Sequence, residues 1–574
     1  MKLNEIILLI FLVTSLSKET LEQQQIPISI NLNLNRDNIY LRLENNQMLI
    51  GNRKQLNYNY QNGSTETRLV YEFLSLPFAE PPVGDKRFKN AIRLNKTLTN
   101  DVYNATYARS ACLQIKDSFF SFTNFTYSED CLYFNIWVPV TNDQDELLYL
   151  NQSKLYSNNL NNLKYINNSF IFSKSNKIDK KTTMFWIHGG AYVTGSSNED
   201  AYDGSILAST ENVIVAGTNY RLGVLGFLFL NDSRVADNIA LNDQLTAIEW
   251  YKEKYVDFFG GLYNNLCLFG ESAGAMSIRM LMFSKKNYLF NRVILESFYN
   301  VSYRSPQEVY TRSINYLKNT NCLPSNFDMK TQKLTNSTFD CLMKSSGQSL
   351  IEKQAGLLWF PTSDFVNENQ TLNMDILFGF NQNENTMFVY IAYAGSYINP
   401  YEQDLANVNS DSTKYNNNFV VSRMTEYFKE LPRSYLTCVN NFYTFTNNSV
   451  FLNDYYNDTV DYNLDSTTNL QLNSRRKAWD KFIKISSDIG FNCPAFYFKN
   501  QTKTNGKMYQ YKLNKRPSFS QYPRWFGVAH TDEIPFVFGI PFTLSYFYPI
   551  DPLDRFLSSN LMNYWANFAK SGIL

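Results

Sequence analysis

The pentapeptide Gly270-Glu271-Ser272-Ala273-Gly274, entered directly from the apolar run Leu266-Cys267-Leu268-Phe269, narrows the folds open to this chain more than any other feature. A short apolar run that ends at a glycine reads as a buried strand. A serine with glycine two residues away on either side then calls for a tight strand-to-helix turn, where larger side chains would collide. A bare G-x-S-x-G is a weak signal, because short glycine patterns arise by chance. The histidine content sharpens it. A serine hydroxyl is a poor nucleophile near neutral pH and needs a base of nearby pKa, usually histidine. The chain has two histidines in 574 residues. His188 lies in Trp186-Ile187-His188-Gly189-Gly190-Ala191-Tyr192, and His530 in Gly527-Val528-Ala529-His530-Thr531-Asp532-Glu533.

The bulk composition excludes several classes. A net charge of +1 with no basic stripe implies no nucleic-acid partner. The N-terminus reads as a secretory leader over residues 1–17. Lys2 supplies the positive start, residues 6–13 the apolar core, and Ser15 and Ser17 small residues near a cleavage point. That core is short for a bilayer, so an uncleaved anchor is the lesser alternative. No other segment reads as a membrane span. Thirteen N-x-S/T sequons, among them Asn62, Asn104, Asn124, Asn300 and Asn457, are compatible with secretion, although so asparagine-rich a chain generates many by chance. The expected location is extracellular or the lumen of an endomembrane compartment. Of seven cysteines, Cys112 with Cys131 and Cys322 with Cys341 each enclose eighteen residues. Closing a loop of that size stabilises by roughly 3 kcal/mol on the chain-entropy model. Cys267, in the strand before the turn, reads as a buried free thiol. Cys438 and Cys493 either pair or stay reduced.

Short apolar runs at 184–187, 213–216, 266–269, 293–295 and 376–378 read as buried parallel strands, and 508–513 as a further alternating strand. Helical patterns lie between them, such as 243–255 with Leu245, Ile248 and Trp250. Strand and helix in alternation argue for an α/β sheet. Residues 141–182 are rich in Asn, Lys and Ser and read as a surface insertion, and 406–418 have the same character. One domain is expected over 18–574.

The motifs together resemble the type-B carboxylesterases, the family that includes cholinesterases, bile-salt-activated lipase and the inactive neuroligins. The likeness runs from about Phe73 to Lys570. It is carried by the block from Phe73 through Arg87 and Phe88, by Glu129-Asp130-Cys131-Leu132-Tyr133-Phe134-Asn135-Ile136-Trp137, by Asn219-Tyr220-Arg221-Leu222-Gly223, and by Phe269-Gly270-Glu271-Ser272-Ala273-Gly274. The resemblance implies an α/β-hydrolase fold, a mostly parallel sheet flanked by helices. It also implies a serine ester hydrolase with Ser272 as nucleophile, Glu384 as the acid in Gly379-Phe380-Asn381-Gln382-Asn383-Glu384-Asn385, and His530 as the base. Asn385 stands where the family usually has glycine, and asparagine tolerates a left-handed backbone well enough for the turn to survive. The amide of Ala273 and, by resemblance, those of Gly190 and Ala191 are the expected oxyanion donors. His188 is then a turn residue.

The same likeness implies disulfides Cys112–Cys131 and Cys322–Cys341 and structural ion pairs Arg87 with Glu129 and Arg221 with Asp243. The alternative for these charges is ordinary surface. Residues 553–568, with Leu553, Leu557, Leu561, Trp565 and Phe568 at helical spacing, are expected in the core. The chain stops earlier than the family pattern, as either a short protein or an incomplete product. No metal or cofactor is expected, and the expected partner is a small-molecule or lipid ester. The 113–130 loop holds Phe119, Phe120, Phe122 and Phe125 but no tryptophan, whereas cholinesterases place a tryptophan there to bind quaternary ammonium. General or lipid esters are therefore expected over choline esters. A neuroligin-like adhesion protein on the same fold is the competing class; such members generally lose the serine.

Overall fold

The computed structural model describes residues 8–11, 26–43, 47–94, 101–115, 125–140, 180–299, 303–388, 483–484, 486–520, 522, 524–543 and 550–574. In chain order the strands are β1 Leu8–Phe11, β2 Ser29–Arg42, β3 Met48–Asn59, β4 Thr65–Pro77, β5 Val102–Asn104, β6 Ala111–Cys112, β7 Tyr127–Ser128, β8 Tyr133–Val140, β9 Lys181–Ile187, β10 Ile214–Thr218, β11 Gly261–Glu271, β12 Arg292–Glu296, β13 Asp375–Asn381 and β14 Met508–Leu513. All but β6 and β7 belong to one sheet, ordered β1-β14-β13-β12-β11-β9-β10-β8-β4-β3-β2, with β5 beside β3. Neighbours from β10 through β9, β11, β12 and β13 to β14 are parallel, and β10, β8, β4, β3 and β2 pair antiparallel. This is the mixed, mostly parallel sheet of an α/β-hydrolase.

The central strands are apolar on both faces because helices cover both. Successive side chains alternate faces. Phe185, Leu268, Val293 and Ile376 join one core, and Met184, Trp186, Phe269, Ile294 and Leu377 the other. The helix Pro552–Ser571 packs on the second face through Leu557, Leu561, Trp565 and Phe568. Four of the five predicted buried strands coincide with β9, β10, β12 and β13 to within two or three residues, the fifth, 266–269, lies inside a longer β11 that begins at Gly261, and the sixth coincides with β14. Three other boundaries move. Lys181 and Thr182 belong to β9 rather than to the insertion, whose residues 141–179 lie outside the described ones. The helix expected over 243–255 begins earlier, as Ile239–Trp250, and continues as a π turn, Tyr251–Tyr255. Leu8–Phe11, inside the expected leader, lies parallel to β14 at the sheet edge, a pairing that describes the uncleaved chain.

Two disulfides, Cys112–Cys131 and Cys322–Cys341, close their loops. Cys267 is a buried free thiol. Cys493 is disulfide-bonded, and Cys438 lies outside the described residues. Arg221 grips buried Asp243 with two parallel bonds, Nε to Oδ2 at 2.8 Å and Nη2 to Oδ1 at 2.6 Å. Arg87 meets Glu129 at 2.7 Å and donates to the Ser345 carbonyl at 2.7 Å, tying the first disulfide segment to the end of the helix that carries Cys341. Bidentate guanidinium–carboxylate pairs fix geometry as well as energy.

Candidate active site

The C-terminal ends of the parallel strands converge on one place, where open α/β sheets bind their ligands. β11 delivers Ser272, β13 delivers Glu384, the chain after β14 delivers His530, and β9 runs into the glycine-rich turn at 188–191. Ser272 has φ 54° and ψ −122°, a strained conformation for a residue with a side chain, held by its N–H donating to the Glu296 carbonyl at 2.9 Å. It sits at the start of the helix Ala273–Met282, whose N-terminal dipole favours negative charge. The glycine at 274 is a packing requirement, since a Cβ there would lie 1.9 Å from the Ile187 carbonyl oxygen.

His530 is buried, with its Nδ1 donating to Glu384 Oε2 at 2.6 Å. Glu384 Oε1 accepts the Asn381 N–H at 2.6 Å, which locks the carboxylate against the end of β13. The turn forms with Asn385 outside the left-handed region, its N–H donating to Ser487 Oγ at 2.9 Å. The left-handed backbone anticipated for Asn385 is therefore not used. Phe388 and Phe491 pack against the imidazole, each tilted 51° to it, at centroid distances of 4.9 and 5.3 Å.

The other ring nitrogen does not meet the serine. His530 Nε2 has no hydrogen bond and lies 3.0 Å from Glu271 Oε1, out of line for one. Catalytic hydrogen bonds in unliganded sites are often long or misaligned and tighten when substrate binds. Burial pushes the imidazole pKa down, but the charges of Glu271 and Glu384 and the hydrogen bond to Glu384 outweigh it and raise the value well above that of an ordinary histidine. Burial also raises Glu271, so the two groups compete for one proton.

A base must be neutral to act, so activity is expected to fall as pH drops through the raised His530 pKa. Glu271→Gln removes one of the two charges that raise it. The acid limb of kcat/KM should then move to lower pH by about one unit or more. An unmoved limb in a pH–rate profile would show that Glu271 does not act on His530.

The glycine-rich turn lies against the nucleophile. A Cβ on Gly189 would come 2.7 Å from Glu271 Oε2 and 3.2 Å from Ser272 Cβ. Gly190 and Ala191 both have positive φ, 103° and 54°. Among the described residues, no hydrogen bond occupies the amides of Gly190, Ala191 or Ala273. His188 is buried, stacks on Tyr220 at 4.4 Å and sets Nδ1 2.8 Å from the Gly189 carbonyl. Burial lowers its pKa to about 4, so it is a neutral turn residue far from His530's role.

Sequence reasoning gave no role to three side chains that assemble this site. Glu271 is the unnamed second position of the pentapeptide. Gln114, beside the first disulfide, accepts from Thr194 Oγ1 at 2.6 Å and the Gly195 N–H at 2.9 Å, and so ties the glycine-rich loop down. Glu533 accepts from Ser297 Oγ at 2.5 Å and from Asn381 Nδ2, pinning the His530 turn to β12 and β13. Only Glu533 had a local signal, three residues beyond the histidine.

Among the described residues, no group of His, Cys, Asp or Glu is arranged to hold a metal ion, and no helix is long and apolar enough to cross a membrane. Of the four phenylalanines in the 113–130 loop, Phe119, Phe120 and Phe122 lie outside the described residues, and Phe125 packs edge-on against Tyr127.

The model of the carboxylesterase family matches residues 57–573. The chain belongs to the carboxylesterase family. It is a carboxylic ester hydrolase. Among curated relatives it is 30% identical to acetylcholinesterase 1 of Caenorhabditis briggsae, over 89% of this chain and 76% of that protein. It is 31% identical to acetylcholinesterase of Danio rerio, over 88% and 76%, and 29% identical to cholinesterase of Mus musculus, over 88% and 75%.

Proposed function

We propose that this carboxylesterase hydrolyses esters through an acyl-enzyme on Ser272, with His530 as general base and acid and Glu384 as the residue that orients it. The observation that supports this most is the 2.6 Å contact from His530 Nδ1 to a fully buried Glu384, beside a serine held at φ 54°. In this reading a small rotation of His530 brings Nε2 from Glu271 to Ser272. The serine loses its proton to Nε2 and attacks the ester carbonyl. The negative oxygen rests on the amides of Gly190, Ala191 and Ala273. Glu384 stabilises the imidazolium, the alcohol leaves with the proton, and water repeats the sequence in reverse to free the acid.

The proposed substrates are general or lipid esters rather than choline esters. The tryptophan-free 113–130 loop supports this, because it lacks the indole face best suited to a quaternary ammonium. The apolar walls Phe388 and Phe491 beside His530 suit an uncharged acyl or alkyl group. The proposed location is extracellular or luminal, as the leader and the two disulfides suggest. The test compares p-nitrophenyl acetate, butyrate and longer acyl esters with acetylthiocholine and butyrylthiocholine. Higher kcat/KM for the thiocholine esters would overturn the substrate proposal, and no turnover of any ester by folded protein would overturn the mechanism.

Ala191 carries a methyl group in the oxyanion turn. Ala191→Gly is expected to raise kcat/KM for branched acyl or tertiary-alcohol esters relative to p-nitrophenyl acetate. The variant should stay folded, since glycine relieves a left-handed strain of about 1–2 kcal/mol. Equal rate ratios in the two proteins would remove the methyl as a specificity element.

A further inference from the structure

Gly190, Ala191 and Tyr192 are consecutive residues with positive φ, 103°, 54° and 64°. A run of such conformations persists only where its surroundings hold it. The amides of Gly190 and Ala191 contribute nothing to that hold, since no hydrogen bond occupies them among the described residues. The ends of the turn are fixed at two carbonyls. His188 accepts from the Tyr220 hydroxyl at 2.8 Å, and Tyr192 accepts the Gly223 N–H at 2.7 Å. The middle rests on residues 194 and 195. The Gly190 carbonyl accepts the N–H groups of Val193 and Thr194, each at 3.0 Å. A Cβ on Gly190 would lie 2.2 Å from the Thr194 carbonyl oxygen, and one on Gly195 would lie 2.6 Å from His188 Nδ1. With no slack in that packing, a shift of 194–195 moves the turn.

We propose that Gln114 is a positioning residue for ester hydrolysis: it fixes residues 194–195 and so sets where the amides of Gly190 and Ala191 meet the oxyanion. Its carboxamide is fully buried and makes four hydrogen bonds. Oε1 accepts from Thr194 Oγ1 at 2.6 Å and from the Gly195 N–H at 2.9 Å. Nε2 donates to the Gly195 carbonyl at 3.0 Å and to the Cys112 carbonyl at 3.1 Å. Two donors and two accepting lone pairs in one planar head are what a carboxamide offers, and a carboxylate of the same shape has no such donors.

A second carboxamide braces the next two residues from the other half of the same disulfide. Buried Asn219 donates from Nδ2 to the Cys131 carbonyl at 3.2 Å. Its Oδ1 accepts the Ser197 N–H at 2.9 Å and Ser196 Oγ at 3.1 Å. The Cys112–Cys131 bond therefore joins the two anchors of the 194–197 segment into one frame.

This role presupposes the acyl-enzyme reading of Ser272. Gln114→Met keeps the side-chain length and removes all four bonds, and Gln114→Glu removes the amide donors. Thr194→Val removes one bond and is the mildest change. For p-nitrophenyl butyrate, Gln114→Met is expected to lower kcat about 10- to 100-fold, somewhat less than deleting an oxyanion donor outright. KM should stay within about two-fold, because the turn acts on the transition state. Asn52→Leu is the control for burial alone. That buried carboxamide donates to Glu72 Oε1 at 2.9 Å and to the Thr106 carbonyl at 2.8 Å, on β3, four strands along the sheet from β9. It should lower the melting temperature and leave kcat unchanged.

Inhibition by an alkyl trifluoromethyl ketone, which adds to the serine as an oxyanion, separates positioning from folding. Its Ki should rise in step with the loss of kcat/KM across the Gln114 and Thr194 variants, while that of the matching methyl ketone stays constant. Should Gln114→Met not fold, Thr194→Val carries the same comparison. Wild-type kcat in the folded Gln114 variants or in Thr194→Val overturns the proposal, as does an unchanged trifluoromethyl ketone Ki beside a reduced kcat. A folded wild type that hydrolyses no ester overturns the acyl-enzyme reading instead, before any variant is compared.

Discussion

Ser272→Ala is expected to lower kcat for p-nitrophenyl butyrate by about 10⁴-fold or more. The serine oxygen makes the covalent bond in the proposed mechanism, and no neighbouring group replaces it. Glu271 is the adjacent candidate, but it packs against Gly189 and faces His530 Nε2. Alanine also tolerates the elbow no worse than serine, so the melting temperature should hardly change. A variant that keeps most of its turnover would mean that a different group reacts. The residual rate, if set by the oxyanion amides alone, should respond weakly to pH, because His530 would have no nucleophile to deprotonate.

Glu384→Gln is expected to cost nearly as much, about 10⁴-fold in kcat. The glutamine carbonyl can still accept the Asn381 N–H that Glu384 Oε1 accepts at 2.6 Å, so the turn after β13 should persist. What is lost is the acceptor for His530 Nδ1–H. An amide NH₂ in that place favours the wrong tautomer, with the proton on the nitrogen that must receive one from serine. It also withdraws a charge that holds the imidazole pKa up, so the acid limb of the remaining activity should move to lower pH. Steady-state kinetics across pH, with a thermal melt as control, check both effects. Loss of fold instead of loss of kcat would reassign Glu384 to structure.

These two residues differ in how far the sequence alone reveals them. Ser272 sits in a local pattern dictated by sterics, and the 1.9 Å approach at Gly274 shows why that pattern is rigid. His530 was accessible because the chain has only two histidines and the resemblance to the family's blocks separates them, His530 matching its histidine and His188 its glycine-rich turn. Glu384 needed the strand order as well, since a glutamate in a loop has no signature of its own. The central strands were legible because burial on both faces leaves an uninterrupted apolar run.

What was not legible involves contacts between distant segments. Gln114 reaches Gly195, and Glu533 reaches Ser297 and Asn381, across separations that leave no local spacing to read. The orientation of His530 toward Glu271 is likewise a competition between two carboxylates from separate elements. The segment Leu8–Phe11 shows the opposite limit. Four apolar residues read equally well as the core of a leader or as an edge strand, and periodicity cannot tell these apart.

The central claim, that Ser272 is the residue that becomes acylated, is tested most directly by covalent capture. A fluorophosphonate probe mimics the tetrahedral intermediate and transfers its phosphonyl group to an activated serine. Peptide mass spectrometry of the folded, labelled protein is predicted to find one modified residue, Ser272, with labelling slowed in Glu384→Gln. Labelling at another residue, or none at all in protein that melts cooperatively, would contradict the account.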